Sequence, residues 1–414
     1  MKFFNLVSKL NTTESALLYI SDELRRSSAS GKVSILVLLD LSAAFDTLNH
    51  SILIKRLQNY LGLSGTALNW FISYLSQRSF QVKQKSDVSS NHHFVHGVPQ
   101  GSVLGPILFR IYILPLLVLL SSLGVSFHCY ADDTQIYIPC TSSDFLTNIE
   151  FLQNVQHTIQ NWLSANFLKL NNSKTEVILI GTPHSITQCK TLTNSITFQN
   201  IKFDWLPTVK NLGVIFDESL SFLPHIKNCR KKCFFLLRNL SKLRSYFNRT
   251  SFEIIVNALI TSRLDYCNSL FSGLPASSLS LLQSIQNYAV RLIFGCTRRT
   301  PITPLLSELH WLPISDRIKF KILLITYKLV HHSTPAYLLS QIRFKSSRLL
   351  RNHDNLLLEE PRSHSARMGD RAFSIHAPQL WNSLPYHIRN SSSISSFKKS
   401  LKTHLFSLRY SSEF

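Results

Sequence analysis

Residues 125–140 read VSFHCYADDTQIYIPC, and the fold turns on this stretch. Apolar and branched side chains flank Tyr130-Ala131-Asp132-Asp133 on both sides, the pattern of two short strands joined by a tight acidic turn. Two carboxylates at the tip of an apolar hairpin are costly unless something positive meets them. A second apolar run, Val33–Leu39 (VSILVLL), reads as a buried strand and ends in a third carboxylate, Asp40. Three converging carboxylates offer hard oxygen ligands to two Mg²⁺ ions, which can stabilise both oxygens of an in-line phosphoryl transfer. Taken singly, each has a plainer use: Asp40 as a cap on Leu41–Phe45, Asp133 as a turn closer.

Outward from these strands the periodicity is mostly helical. Ser15–Arg26, Ile52–Leu63 and Ala67–Leu75 repeat apolar residues at helical spacing, whereas Phe80–Lys83 alternates like an edge strand. His96–Gly105 is a Gly/Pro-rich loop, and Pro106 opens a long apolar helix. Within it, Ile111–Val125 has the composition of a membrane span, but it is 15 residues long and contains Pro115. A span needs about 20 residues, so this segment reads as a helix buried in a large core, and no membrane is expected as a partner. A helix over Phe145–Ala165 follows, then Leu168–Leu170, a polar turn at Asn171–Lys174, and strands at Val177–Ile180, Lys202–Leu206 and Leu212–Phe216. Beyond Phe222 come long amphipathic helices: His225–Tyr246, a block over 252–294, Ile314–His332 and Ile394–Leu408.

Charge divides the chain. Residues 1–200 hold 14 Lys or Arg against 11 Asp or Glu, while residues 201–414 hold 30 against 12. A basic rear half points to a polyanion, of which nucleic acid is the usual one. Lys227, Arg230, Lys231, Lys232, Arg238, Lys242 and Arg244 lie along one helix and are candidate phosphate contacts, as are Arg298-Arg299 and the Arg343–Arg351 cluster. On the same helix Phe234 and Phe235 share the apolar stripe and read as core. The 7 cysteines are odd in number and scattered, and read as reduced thiols of an intracellular protein that is not secreted.

Five phrases in order, LLDLSAAFD (Leu38–Asp46), GVPQGSVLGP (Gly97–Pro106), YADD (Tyr130–Asp133), LNNSKTE (Leu170–Glu176) and NLGVIFD (Asn211–Asp217), resemble the reverse transcriptase of LINE-type non-LTR retrotransposons. WFISYLSQRSFQV (Trp70–Val82), LHWLPISDRIKFKILLITYK (Leu309–Lys328) and APQLWNSLP (Ala377–Pro385) look like its jockey, CR1 and L2 branches, and the resemblance covers about residues 9–410. It implies an α+β right-hand polymerase palm with partial fingers over residues 1–220, an α-helical thumb over 221–300 and a helical, basic C-terminal region over 301–414.

By the same resemblance Asp40, Asp132 and Asp133 hold two Mg²⁺ ions, with Mn²⁺ as the substitute, and Asp132 is the direct ligand of the pair. Phe45 matches the aromatic gate under the sugar, where a bulky ring excludes a ribose 2′-OH. Gln100 and Gly101 match the loop that contacts the incoming nucleotide and the template, and Tyr130 positions the primer end. Lys174 matches the lysine that acts as general acid toward pyrophosphate, and Leu212–Phe216 the primer grip. The implied partners are an RNA template, a DNA primer or target site, and dNTPs. The implied workplace is the nucleus, with the cytoplasm as alternative.

The chain departs from the family's pattern in two places. Its first finger motifs and a preceding endonuclease are not found, so the match begins inside the pattern, as in a chain truncated at its N-terminus. An Asn-Asp pair common near Ile113–Leu116 is replaced by ILPL. The resulting expectation is an RNA-directed DNA polymerase; the alternative is an inactive remnant that only binds nucleic acid.

Overall fold

The computed structural model describes residues 12–99, 101–345, 356–362 and 368–410. The N-terminal helix α1 (Thr13–Ala29) leads to strand β1 (Val33–Leu39), the short β2 (Leu41–Ser42), and helices α2 (His50–Leu61) and α3 (Gly65–Leu75). Four short strands follow, β3 (Arg78–Phe80), β4 (Lys83–Gln84), β5 (Asp87–Val88) and β6 (His92–Phe94). Next come α4 (Gly105–Ser122), the hairpin β7 (Ser126–Tyr130) and β8 (Asp133–Cys140), and α5 (Phe145–Ala165). The strands β9 (Lys169–Leu170) and β10 (Glu176–Ile180) precede α6 (Pro183–Leu192) and two hairpins, β11 (Ser195–Phe198) with β12 (Ile201–Asp204) and β13 (Thr208–Asn211) with β14 (Val214–Asp217). The remainder is helical: α7 (Leu223–Leu243), α8 (Arg249–Val256), α9 (Ser262–Asp265), α10 (Ala276–Phe294), α11 (Ile302–Glu308), α12 (Ile314–His332), α13 (Ala336–Leu339), α14 (Phe373–Asn382), α15 (Tyr386–Arg389) and α16 (Ile394–Tyr410).

The chain forms two compact units. One comprises Val33–Leu179 and His184–Leu206. Its sheet has the order β10-β1-β8-β7, with β1 antiparallel to β8 and β8 antiparallel to β7. Six of the seven β1 residues are buried, which explains why VSILVLL is apolar throughout rather than alternating. Helices α4 and α5 cover the sheet and share its core through Leu108, Tyr112 and Leu116 on α4 and Leu152 and Ile159 on α5. By length and composition α4 passes for a membrane span, and half of that window is buried inside the protein. The buried arginine Arg56 on α2 clamps this core: it donates to the carbonyl of Tyr112 and to Asn166 Oδ1, with its guanidinium 4.4 Å from the Tyr112 ring.

The other unit joins α1 to the described residues from Pro207 onward. The fully buried Arg25 of α1 donates to the carbonyls of Arg371 and Leu270, and Asp22 accepts from the backbone and hydroxyl of Ser374. Tyr327 on α12 stacks on Phe397 of α16 at 4.2 Å and meets Trp381 of α14. The α1 helix thus belongs with the C-terminal helices, and the residues expected to form thumb and C-terminal region lie in one unit.

Several local readings differ. Phe80–Lys83 is not one strand: β3 pairs with β6 and β4 with β5, all exposed apart from Phe94. Leu212 is a turn residue between β13 and β14, with φ +42°. The 252–294 block is broken by a π-turn at Asn257–Thr261 and by the non-helical segment ahead of α10.

Candidate active site

The site grows from one register. β1 and β8 pair Leu39 with Thr134, so Asp40 and Asp133, one residue beyond that pair on adjacent strands, end the same side of the sheet. Tyr130 and Asp133 close the β7–β8 hairpin, leaving Ala131 and Asp132 as its two-residue turn, with Ala131 at φ +54°. Neighbouring strand residues point to opposite faces, and the turn is what lets Asp132 join Asp133. All three carboxylates are half-buried. Burial first, then the charges of Asp132 and Asp40, push the Asp133 carboxyl up to about 6, with Lys174 opposing them.

Lys174 reaches the site because β9 pairs with β2, Leu170 opposite Leu41, which lays the 171–175 turn against Asp40. Asn171 donates its backbone N–H to the Asp40 carbonyl at 2.9 Å and its amide to Asp40 Oδ2 at 3.2 Å. Its own carbonyl accepts from Lys174 and Thr175, both at 3.1 Å, and Lys174 Nζ stands 3.5 Å from Asp40 Oδ2. Asn171 is the functional residue the sequence reading passed over. Its signal lay within LNNSKTE, where an Asn opening a turn readily bonds backbone and side chain around it.

Phe45 packs half-buried on Phe109, ring centroids 5.0 Å apart. The 96–105 loop is fastened to the segment after Asp40: Val98 N–H donates to the Phe45 carbonyl (2.9 Å) and Gly97 N–H to the Leu48 carbonyl (2.7 Å). His50 Nε2 lies 2.7 Å from the Gly97 carbonyl. Gly101 has φ +77° with open space around it, and Gln100 lies outside the described residues. One unit therefore brings together Asp40, Asp132, Asp133, Lys174 and Asn171, with Phe45 beside them in sequence and Tyr130 in the hairpin.

Among the described residues no three His, Cys, Asp or Glu side chains stand close enough to enclose a metal ion. The three aspartates are near enough for their charges to be felt at Asp133 without closing round one point. Their chemistry nonetheless fits a hard divalent cation: oxygen donors only, half-buried and mutually repelling.

On α7, Lys227, Arg230, Lys231, Lys232, Arg238 and Lys242 are exposed. Arg244 is different and is withdrawn as a phosphate contact, because its guanidinium is taken up by the carbonyls of Leu292, Ile293 and Phe247. Phe235 also corrects the reading as core: it is 64% exposed, while Phe234 packs edge-on against Tyr288. Of the Arg343–Arg351 cluster, Arg348 and Arg351 lie outside the described residues.

Residues 5–216 match the family model described as reverse transcriptase (RNA-dependent DNA polymerase). The Drosophila melanogaster protein named "Probable RNA-directed DNA polymerase from transposon BS" is 26% identical over 304 residues, covering 68% of this chain and 31% of the relative. The "RNA-directed DNA polymerase from mobile element jockey" of Drosophila funebris is 24% identical over 289 residues, covering 68% and 30%. The chain thus spans about a third of the length of the curated relatives it matches. A solved structure of telomerase from Candida albicans with the TWJ fragment of telomeric RNA covers 75% of this chain and 52% of its own, at 14% identity and a TM-score of 0.34.

Proposed function

The chain belongs to the reverse transcriptase family, and we propose that it is the RNA-directed DNA polymerase of a non-LTR retrotransposon of the jockey, CR1 and L2 kind. Its partners in this reading are an RNA template, a DNA primer or target site and dNTPs, and its workplace is the nucleus. The observation that carries the reading is the β1–β8 register, which sets Asp40 and Asp133 side by side at the hairpin that bears Asp132.

Asp40, Asp132 and Asp133 would hold two Mg²⁺ ions, or Mn²⁺ in their place, and bound there the ions would supply charge stabilisation for attack of a primer 3′-OH on the dNTP α-phosphate. Asn171 fixes the Asp40 carboxylate by occupying one lone pair of Oδ2 and tying down its carbonyl. Lys174, at 3.5 Å from that oxygen, is the ammonium that can donate a proton to the departing pyrophosphate. Phe45, backed by Phe109, forms the wall under the sugar and excludes a 2′-OH. Gly101 contacts the nucleotide and template, a role the sequence pattern gives to Gln100 as well, Tyr130 positions the primer end, and the exposed cations of α7 bind phosphates.

The test is primer extension on an RNA template with purified protein, Mg²⁺ and dNTPs, beside the Asp132→Asn, Asp133→Asn double variant. Extension should fall by roughly a thousandfold or more in the variant, several kcal/mol of barrier. A folded, RNA-binding chain that extends no primer would favour the silent remnant, and equal extension by both proteins would misplace the active site.

A further inference from the structure

The C-terminal helices carry a cavity that the polymerase reading leaves unused. It measures about 430 Å³ and lies among α9, α12, α16 and the 310–312 turn. Arg317, Lys321, Lys398 and Lys402 line it, with Phe320 and His310. The cations do not share an equal supply of counter-charge. Arg317 is forked onto Asp265, and Lys321 lies 3.3 Å from Glu14, whereas Lys398 and Lys402 form no ion pair among the described residues. These two stand one turn apart on α16 and are exposed. The crowding of charge extends to Lys328 one helix away, whose pKa is lowered by burial and then by Lys398 and Lys321.

An ordinary solvated basic face offers its ammonium groups to water with no recess beside them for a ring. This one is a concavity in which the buried Trp311 and Leu312 and the half-buried Phe320 lie with the buried Asn268, and whose exposed ammonium groups, Lys398 and Lys402, carry no ion pair among the described residues. His310 offers a second flat ring, exposed and in the left-handed region at φ +52°. Flat rings beside exposed ammonium groups suit a base with its phosphate attached. A base can enter such a recess only when it is out of a duplex stack, so the strand must be unpaired there. A lipid surface fits poorly, because its apolar contact would have to project rather than lie in a pocket.

We propose that this cavity binds one nucleotide of an unpaired nucleic-acid strand, its phosphate on Lys398, Lys402 and Lys321 and its base against Phe320 and His310. The site concerns binding and stands whether or not the chain polymerises. Its residues fall outside the part of the chain matched by the family model.

The test compares the full chain with a Lys398→Glu, Lys402→Glu variant and with a charge-matched control, Lys55→Glu, Lys83→Glu, both control positions being exposed and outside the cavity lining. Binding of a labelled unpaired RNA, an unpaired DNA and a blunt RNA duplex is followed by anisotropy from 50 to 200 mM NaCl. The cavity variant should lose about tenfold in affinity for unpaired strands, and its salt slope should fall by about 0.7, the value for one single-strand phosphate contact. The control should lose distinctly less, and photocrosslinks from thiouridine-substituted RNA should fall within 310–324 or 394–406. The RNA and DNA arms tell which strand is preferred; a loss on either supports the site. Equal losses by variant and control, or crosslinks wholly elsewhere, overturn it. An equal loss for the duplex overturns the unpaired strand, and a loss confined to anionic phosphatidylserine vesicles overturns nucleic acid as the ligand. Binding through this cavity without primer extension would sink the polymerase reading alone, and extension with control-like binding would sink this one alone.

Discussion

At Gly97 the backbone passes so close to Phe45 and Asp46 that a Cβ would stand 2.7–2.8 Å from their carbonyl oxygens and the Asp46 Cα. Its φ of +82° adds a conformation that L side chains rarely adopt. Gly97→Ala should therefore cost more than about 3 kcal/mol in urea unfolding, since backbone cannot yield as a side chain would. Gly101→Ala meets open space at a similar φ and should cost only about 1 kcal/mol; equal costs at the two positions would show the close approach to be unimportant. Phe45 tests the chemistry of the same contact. Phe45→Val should raise the use of a ribonucleotide relative to its deoxy counterpart by roughly 10–200-fold in kcat/KM, the range set by adding or removing bulk in a pocket. An unchanged ratio would remove Phe45 from the sugar pocket. At this scale the three aspartates were legible in the sequence because charge is conspicuous after apolar runs. Asn171 was not, because its importance lies in two hydrogen bonds to Asp40, 131 residues away in the chain.

Among the elements, α7 shows what helical periodicity can and cannot say. Its period places Cys233, Leu237 and Leu240 inside, and they are buried. The same stripe was extended to Phe235, two residues before Leu237, about 200° round the helix and on the far side. Leu237→Ala should cost about 2–5 kcal/mol as a buried truncation. Phe235→Ala should change stability by no more than about 0.5 kcal/mol, as for an exposed side chain. Thermal melts of the two variants decide it, and a large loss at Phe235 would mean that its ring is covered. Elements with one strong signal were readable: α5 and α12 are long and periodic, and the β7–β8 hairpin has a turn with apolar strands on both sides. α6 was not, since only Ile186 and Cys189 of its ten residues are buried and the apolar stripe is too thin to see. The π-turn at 257–261 has no sequence mark of its own, because NALIT holds neither the Gly nor the Pro that would announce a break in a helix.

For the molecule as a whole, the sequence reading set α1 among the fingers, whereas its buried contacts are with residues more than two hundred positions later. Only long-range pairing reveals this: Arg25 on α1 holds the carbonyls of Leu270 and Arg371, and Asp22 holds Ser374. Asp22 makes the attachment sensitive to pH. Burial pushes its carboxyl up to about 6, against the hydrogen bonds from Ser374, and its Oδ2 has no hydrogen-bond partner among the described residues. The folded state therefore keeps a proton that the unfolded chain, with a value near 3.8, has already released. Between these values the native state binds more protons than the unfolded one, so the stability this proton carries is full below about pH 4 and lost as the pH rises past 6. Asp22→Asn, which keeps an acceptor for Ser374 and cannot ionise, removes the dependence. The stability of the parent chain minus that of the variant should fall by roughly 2–3 kcal/mol from pH 4 to pH 7 in urea titrations, the free energy of about two pKa units. Taking the difference cancels the other titrating groups, including Asp133, which rises for reasons of its own. A difference flat with pH would mean that Asp22 is solvated in solution and that α1 is not docked on Ser374; a fall of the expected size would show that residues 352 positions apart in the chain close one cooperative unit.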